Sequence, residues 1–307
     1  MAVVNPNPIL ASLGFGPDDR VVIIHADDIG MCQATLPAFV ELLDFGLVSS
    51  GSVMVPCPWF LEVAAWYRNR SASVDLGVHL TLTSEWPTYR WRPLSTQSLP
   101  SGLLDDQGYF HRRRQQVVEH SSGDAVRVEM QAQVEAARRA GIDVTHLDCH
   151  MYVGVEPKFL PDYIDLCQRE GLPGVISREL LEVSSRDGVP RCLSQWQAYG
   201  YPVFDKITVL GVLDAAPDRL TQAKKEFDEL PPGLSCLLIH PAVDTPELRA
   251  ITADWQLRVA DYQVFRSSEL REHLRRSGIH LIGYELLRQA MRAHAAAQWP
   301  STLQASK

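Results

Sequence analysis

Four short stretches place acids and imidazoles where apolar runs stop. "HADDIG" at 25–30 sets Asp27 and Asp28 after the run Val21–Ile24, and "LGVHLTL" at 76–82 carries His79. "THLDCHMY" at 145–152 holds His146, Asp148 and His150, and "LLIHP" at 237–241 ends on His240 and a proline. One carboxylate and two imidazoles can hold a divalent ion and leave positions open for water and a substrate. Such an ion lowers the pKa of a bound water from about 15.7 toward about 7 and polarises a carbonyl. Hydrolysis also needs a base for the water's proton and an acid for the leaving group. Adjacent carboxylates can divide the tasks of ligand and base, and His240, from a distant run, is the natural acid.

Each residue also has a plainer reading. Asp27 or Asp28 could cap the helix expected from about residue 33. His79 and His146, inside apolar runs, could be hydrogen-bonded core histidines. Asp148 could fix a ligand imidazole rather than bind an ion itself. His240 could be an ordinary loop residue. What favours one shared site is that all of these residues stand near the ends of expected strands.

The elements that would gather them alternate along the chain. Strands are expected at 21–26, 49–55, 74–82, 143–148, 174–177, 207–213, 234–240 and 279–283. Helices are expected near 33–45, 59–70, 124–140, 157–170, 215–229, 255–276 and 284–297, with Gly141 as a stop for the third. Alternation of this kind implies right-handed crossovers and a parallel sheet. Seven or eight such units favour a closed α/β barrel over an open sheet, and the carboxyl ends of its strands then share one rim. Residues more than 200 positions apart converge only through such a fold.

The 307 residues read as a single catalytic domain over 1–300 followed by a disordered tail at 301–307. One long interruption, 84–120, is rich in Pro, Trp and Tyr and suits a lid or a sugar-contacting wall. Formal net charge is -8, from 29 basic and 37 acidic residues, which argues against a nucleic-acid partner. The basic cluster "HRRRQ" at 111–115 is short and reads as a solvated face. Six cysteines without CxxC spacing read as reduced thiols. With no basic start followed by an apolar stretch, and no run of about 18 apolar residues, a soluble cytoplasmic protein is expected.

At these residues the sequence resembles the YdjC-like carbohydrate deacetylases, also called the ChbG/HpnK family. The motifs are "HADDIGM" at 25–31, "LGVHLTLTSEW" at 76–86, "THLDCHM" at 145–151 and "LLIHPAVD" at 237–244. "WRPLS" at 91–95 and "DWQLRVADYQVFRSSELREHL" at 254–274 support them, so the likeness spans about 20–290. The resemblance implies a distorted (β/α) barrel related to polysaccharide deacetylases. It implies a divalent metal, magnesium or zinc, held by Asp28, His79 and His150, with Asp27 as general base and His240 as general acid. The implied reaction removes an N-acetyl group from an amino sugar or short oligosaccharide. Asp148 is expected behind a ligand imidazole, and Trp91, Tyr152 and Arg178 are expected against substrate, with a surface salt bridge as the alternative for Arg178. Many relatives have phenylalanine in place of Ile29 and glycine in place of Ala242. "MYVGVEP" after His150 lacks the extra histidines of the chitooligosaccharide-type members, which weakens that substrate. Another metal-dependent hydrolase acting on an ester or phosphate, or a non-catalytic sugar-binding protein, are the competing readings. Association into a homo-oligomer is also expected.

Overall fold

A computed structural model describes residues 7–70, 74–180, 196, 200–210 and 218–298. Seven parallel strands form one curled sheet: β1 (Arg20–Ile29), β2 (Ser50–Val53), β3 (Leu76–Leu80), β4 (Leu147–Cys149), β5 (Lys206–Val209), β6 (Gly233–Ile239) and β7 (His280–Leu281). The order is β4-β3-β2-β1-β6-β5, and β7 pairs with the first residues of β1 through Val21 and Val22. Single parallel bridges, Leu147 with Gly174 and Ser177 with Phe204, carry the curl from β4 to the entry of β5. The sheet is therefore a distorted (β/α) barrel, thin on that side. The expected strand 174–177 is reduced to those bridges, and the expected tail 301–307, residues 211–213 of a strand and Cys192 lie outside the described residues.

β1 shows how the sequence builds the barrel. Its side chains are buried on both faces from Val21 to Ile29, as in a parallel sheet covered by helices. Val22, Ile24 and Ala26 join a core that includes Phe39 and Val63 of the surrounding helices. Val21 and Ile23 face the opposite way, into a cluster with Leu234, Cys236, Tyr284 and Leu287. This alternation decides which residues of the next segment can reach the barrel interior.

The helices largely follow the expected periods, with one break. The stretch 255–276 divides into Trp255–Val264 and Ser268–Arg276, because Ser267 caps the second helix by accepting from the Glu269 N–H. The long interruption is folded: it holds the helix Arg114–His120 and the antiparallel bridge Leu104–Phe110, and it buries Leu103, Phe110 and Val117. No helix among the described residues is long and apolar enough to cross a membrane.

Candidate active site

β1 does not stop before its two carboxylates, as the apolar run suggested, but continues through Asp27, Asp28 and Ile29. Strict alternation would send Asp27 inward with Val21, Ile23 and His25, and Asp28 outward with Ala26. The backbone breaks that rule at Asp28, whose φ is +61°, and the pairing with β2 slips between Ala26 and Ile29. A bulge of this kind re-aims a side chain beside a site. The left-handed conformation costs a non-glycine residue on the order of 1–2 kcal/mol, so the surrounding packing must enforce it. Both carboxylates consequently face one cavity of about 510 Å³, with His79, Asp148, His150, Tyr152, His240 and Arg258 among its lining.

Asp28 uses its two oxygens differently. Oδ2 accepts from the Arg258 guanidinium at 2.8 Å. Oδ1 is buried without a hydrogen bond, 3.1 Å from His150 Nδ1 and 3.4 Å from His79 Nε2. Those two ring nitrogens are themselves 3.2 Å apart. His79 on β3 stands directly beside Asp148 on β4, and its Nδ1 lies 2.9 Å from Asp148 Oδ2. Asp148 also accepts from Ser52 Oγ at 2.8 Å. His150, two residues beyond Asp148, has its Nε2 3.1 Å from Glu85 Oε1. Both imidazoles thus turn one nitrogen to a carboxylate and the other to Asp28.

Asp27 lies close to the His79 imidazole: Asp27, His79 and Asp148 each offer an atom within 4.8 Å of the others. Asp27 Oδ1 is 3.3 Å from His25 Nε2 and its Oδ2 is 3.7 Å from His240 Nε2. The side chain of His240, at the end of β6, is 26% exposed, and its backbone N–H donates to Asp261 at 3.0 Å. Asp261 in turn accepts from the Arg219 guanidinium at 2.8 Å.

The charges are unequal. Burial alone would raise the Asp28 carboxyl, but Arg258 and His150 hold it well below the usual range. Asp148 is likewise depressed against burial by His79 and His25. Asp27 is pushed well up, first by burial and then by Asp148 and Asp28. Burial would lower His150, yet Glu85 and Asp28 lift it to about 9. His79 is raised by Asp148 and Asp27 in the same way. His240 is pushed down to about 4, by burial and by the cationic groups Arg258, His79 and His150. Three carboxylates held low, Asp28, Asp148 and Glu85, therefore favour positive charge in the space around the two imidazoles.

That space fits a metal. Asp28, His79 and His150 each offer an atom within 4.8 Å of the others, and the Asp28 oxygen among them is buried without a donor. His25, His146 and Asp148 form a second close group. There the His146 ring is packed closely on Gly77, where a Cβ would lie 2.4 Å from Nε2. His146 is the core histidine anticipated, with Nδ1 2.8 Å from Thr145 Oγ1.

Two expected substrate contacts do not reach the cavity. Trp91 is 3% exposed, donates its indole N–H to the Thr83 carbonyl at 2.8 Å and packs in the core. Its apolar ring is better covered there than on a rim. Arg178 is paired with Asp205. Tyr152 does stand at the cavity, 40% exposed, after Met151; both have left-handed backbone, with φ of +57° and +53°. Glu85, Arg258 and His25 were not singled out by spacing. Glu85 lies within the motif that contains His79, and Arg258 within the supporting stretch at 254–274, which were usable signals.

The chain matches the YdjC-like protein family over residues 21–276. A carbohydrate deacetylase of Thermus thermophilus is 33% identical over 285 residues, covering 92% of this chain and 99% of that protein. A carbohydrate deacetylase of Enterococcus faecalis is 25% identical over 277 residues, covering 88% and 98%. A solved Enterococcus faecalis structure, described as a cellobiose-phosphate cleavage protein, shares the fold with a TM-score of 0.73 at 24% identity, covering 88% of this chain and 99% of that one.

Proposed function

The chain belongs to the YdjC-like family, and from that premise we propose that it is a metal-dependent carbohydrate deacetylase that removes the acetyl group of an N-acetylated amino sugar. The observation that carries this reading is the meeting of Asp28 Oδ1, His79 Nε2 and His150 Nδ1 in one cavity that Asp27 and His240 also line. Asp28, His79 and His150 would hold the ion. Two imidazoles beside one carboxylate favour zinc over magnesium. When bound, the metal supplies Lewis acidity to the acetamide carbonyl and acidifies a water.

The protein's own groups handle the proton. Asp27, its carboxyl raised by burial, is a ready acceptor for the proton of the attacking water. His240, lowered to about 4, is neutral in the resting enzyme and must gain a proton before it can act as an acid. Asp27 Oδ2, 3.7 Å from His240 Nε2, is the nearby source. One proton then passes from water to Asp27, from Asp27 to His240, and from His240 to the departing nitrogen. The C–N bond breaks, and acetic acid and the free amine leave, the acid passing its proton to the amine to give acetate and the ammonium form. Arg258 keeps Asp28 Oδ2 occupied, so only Oδ1 turns to the ion. Tyr152, at the rim, offers a ring face for the sugar.

The test is acetate release from a panel of N-acetylated sugars by the protein stripped with chelator and reloaded with zinc or magnesium. Release that disappears on stripping and returns on reloading supports the reading. No release in any metal state overturns it.

A further inference from the structure

His25 lies beneath the site with no exposure, and the proton path above leaves it unused. Its Nδ1 is 2.7 Å from Ser50 Oγ. Its Nε2 has three polar neighbours: Asp148 Oδ2 at 3.1 Å, Ser52 Oγ at 3.1 Å and Asp27 Oδ1 at 3.3 Å. An ionised carboxylate can only accept, so the nitrogen facing Asp148 carries a hydrogen. The rings of His146 and Tyr284 stand edge-on to His25, at centroid distances of 4.8 and 5.5 Å, and leave it little freedom to turn. The donor bonds Asp148, and Asp27 Oδ1 stands 3.3 Å from the same nitrogen, buried and without a hydrogen bond of its own.

We propose that His25 is a positioning residue for the hydrolysis: its Nε2–H fixes Asp148 Oδ2, and the same ring edge, 3.3 Å from Asp27 Oδ1, holds that oxygen so that Asp27 presents Oδ2 to the cavity. The inference rests on the deacetylase reading. It makes a continuous chain, Asp27 to His25 to Asp148 to His79, that ties the base to the carboxylate behind one metal-facing imidazole. Without the donor, Asp27 and Asp148 meet as like groups in a dry interior, and Asp27 is free to rotate away. A misplacement of about 1 Å in a reacting group costs about 10²-fold in rate. His25 does not line the cavity, so the loss falls on kcat and not on KM.

The experiment compares His25→Phe and His25→Gln in the zinc-loaded full chain. The phenylalanine variant should lose about 10²-fold in kcat with KM within about threefold and zinc content unchanged. The glutamine variant, whose side-chain amide can reach the position of the ring Nε2–H, should recover about tenfold of that loss. A phenylalanine variant with kcat near wild type, a glutamine variant equally slow, or a loss that tracks zinc content overturns the proposal. Nitrogen-15 spectra of the histidine rings in the metal-free wild type give a readout without activity: a proton on His25 Nε2 is expected, and a bare Nε2 overturns the assignment. If the wild type releases no acetate at all, the deacetylase reading fails on its own, and the spectra still decide the hydrogen bond.

Discussion

His150 Nε2 lies 3.1 Å from Glu85 Oε1, while the Nδ1 of the same ring lies 3.1 Å from Asp28 Oδ1. An imidazole that donates to a carboxylate on one side is fixed in orientation and is a stronger ligand on the other. Glu85→Gln should therefore weaken zinc binding by about 10–100-fold, as losing such a supporting carboxylate typically does. A chelator-competition titration measures this, and an unchanged affinity would make the Glu85–His150 pair merely structural.

Asp27 and Asp28 should separate cleanly by substitution. Asp28→Asn should lose the metal, because the charge and the free oxygen among the imidazoles are gone. Asp27→Asn should keep the metal and lose turnover by about 10²–10⁴-fold, the usual worth of a general base. Metal content and acetate release, measured on the same preparations, check both. The opposite pattern would exchange their roles.

Metal affinity should rise with pH up to about 9. His150 is lifted to about 9 in the metal-free protein and must shed its proton to bind an ion, so each unit of pH below that value weakens binding by about tenfold per proton displaced. The same shift makes a stability statement. A histidine raised in the folded state stabilises it fully below the unfolded pKa of about 6.5, and that contribution fades as pH rises through about 9. The metal-free protein should therefore lose on the order of 3 kcal/mol between those limits, while zinc-loaded protein should not. Thermal melts at pH 6.5 and 9, with and without zinc, make the comparison; parallel melts in both states would refute it.

Trp91→Phe should behave as a core change. It removes the indole hydrogen bond to Thr83 and leaves a small void, costing about 1–3 kcal/mol in a urea melt. KM for any sugar that proves to be a substrate should stay unchanged, whereas a raised KM would return Trp91 to the binding surface.

The site was legible where chemistry and strand ends coincide. Asp27, Asp28, His79, His150 and His240 come together in one cavity because parallel strands deliver their carboxyl ends to one rim. The period of β1 told which of its residues face inward, but not that the chain would bulge at Asp28, since a left-handed residue there depends on packing from other elements. The pairing of Arg258 with Asp28 was not legible for a similar reason. Arg258 sits 230 positions from Asp28 in a helix whose local pattern is ordinary, and only the fold makes it a partner. Trp91 shows the opposite error: an aromatic in a long interruption invited a surface role, yet that interruption has a core of its own to fill.

The bulge at Asp28 also bears on how this chain can be compared with others. Residues 27 and 28 are the same letter, yet one faces His240 and the other Arg258. Slide an alignment by a single place here and an aspartate still lies on an aspartate, while a proton acceptor has been equated with an ion holder. Agreement in sequence is blind to that slip, and a backbone angle of +61° exposes it.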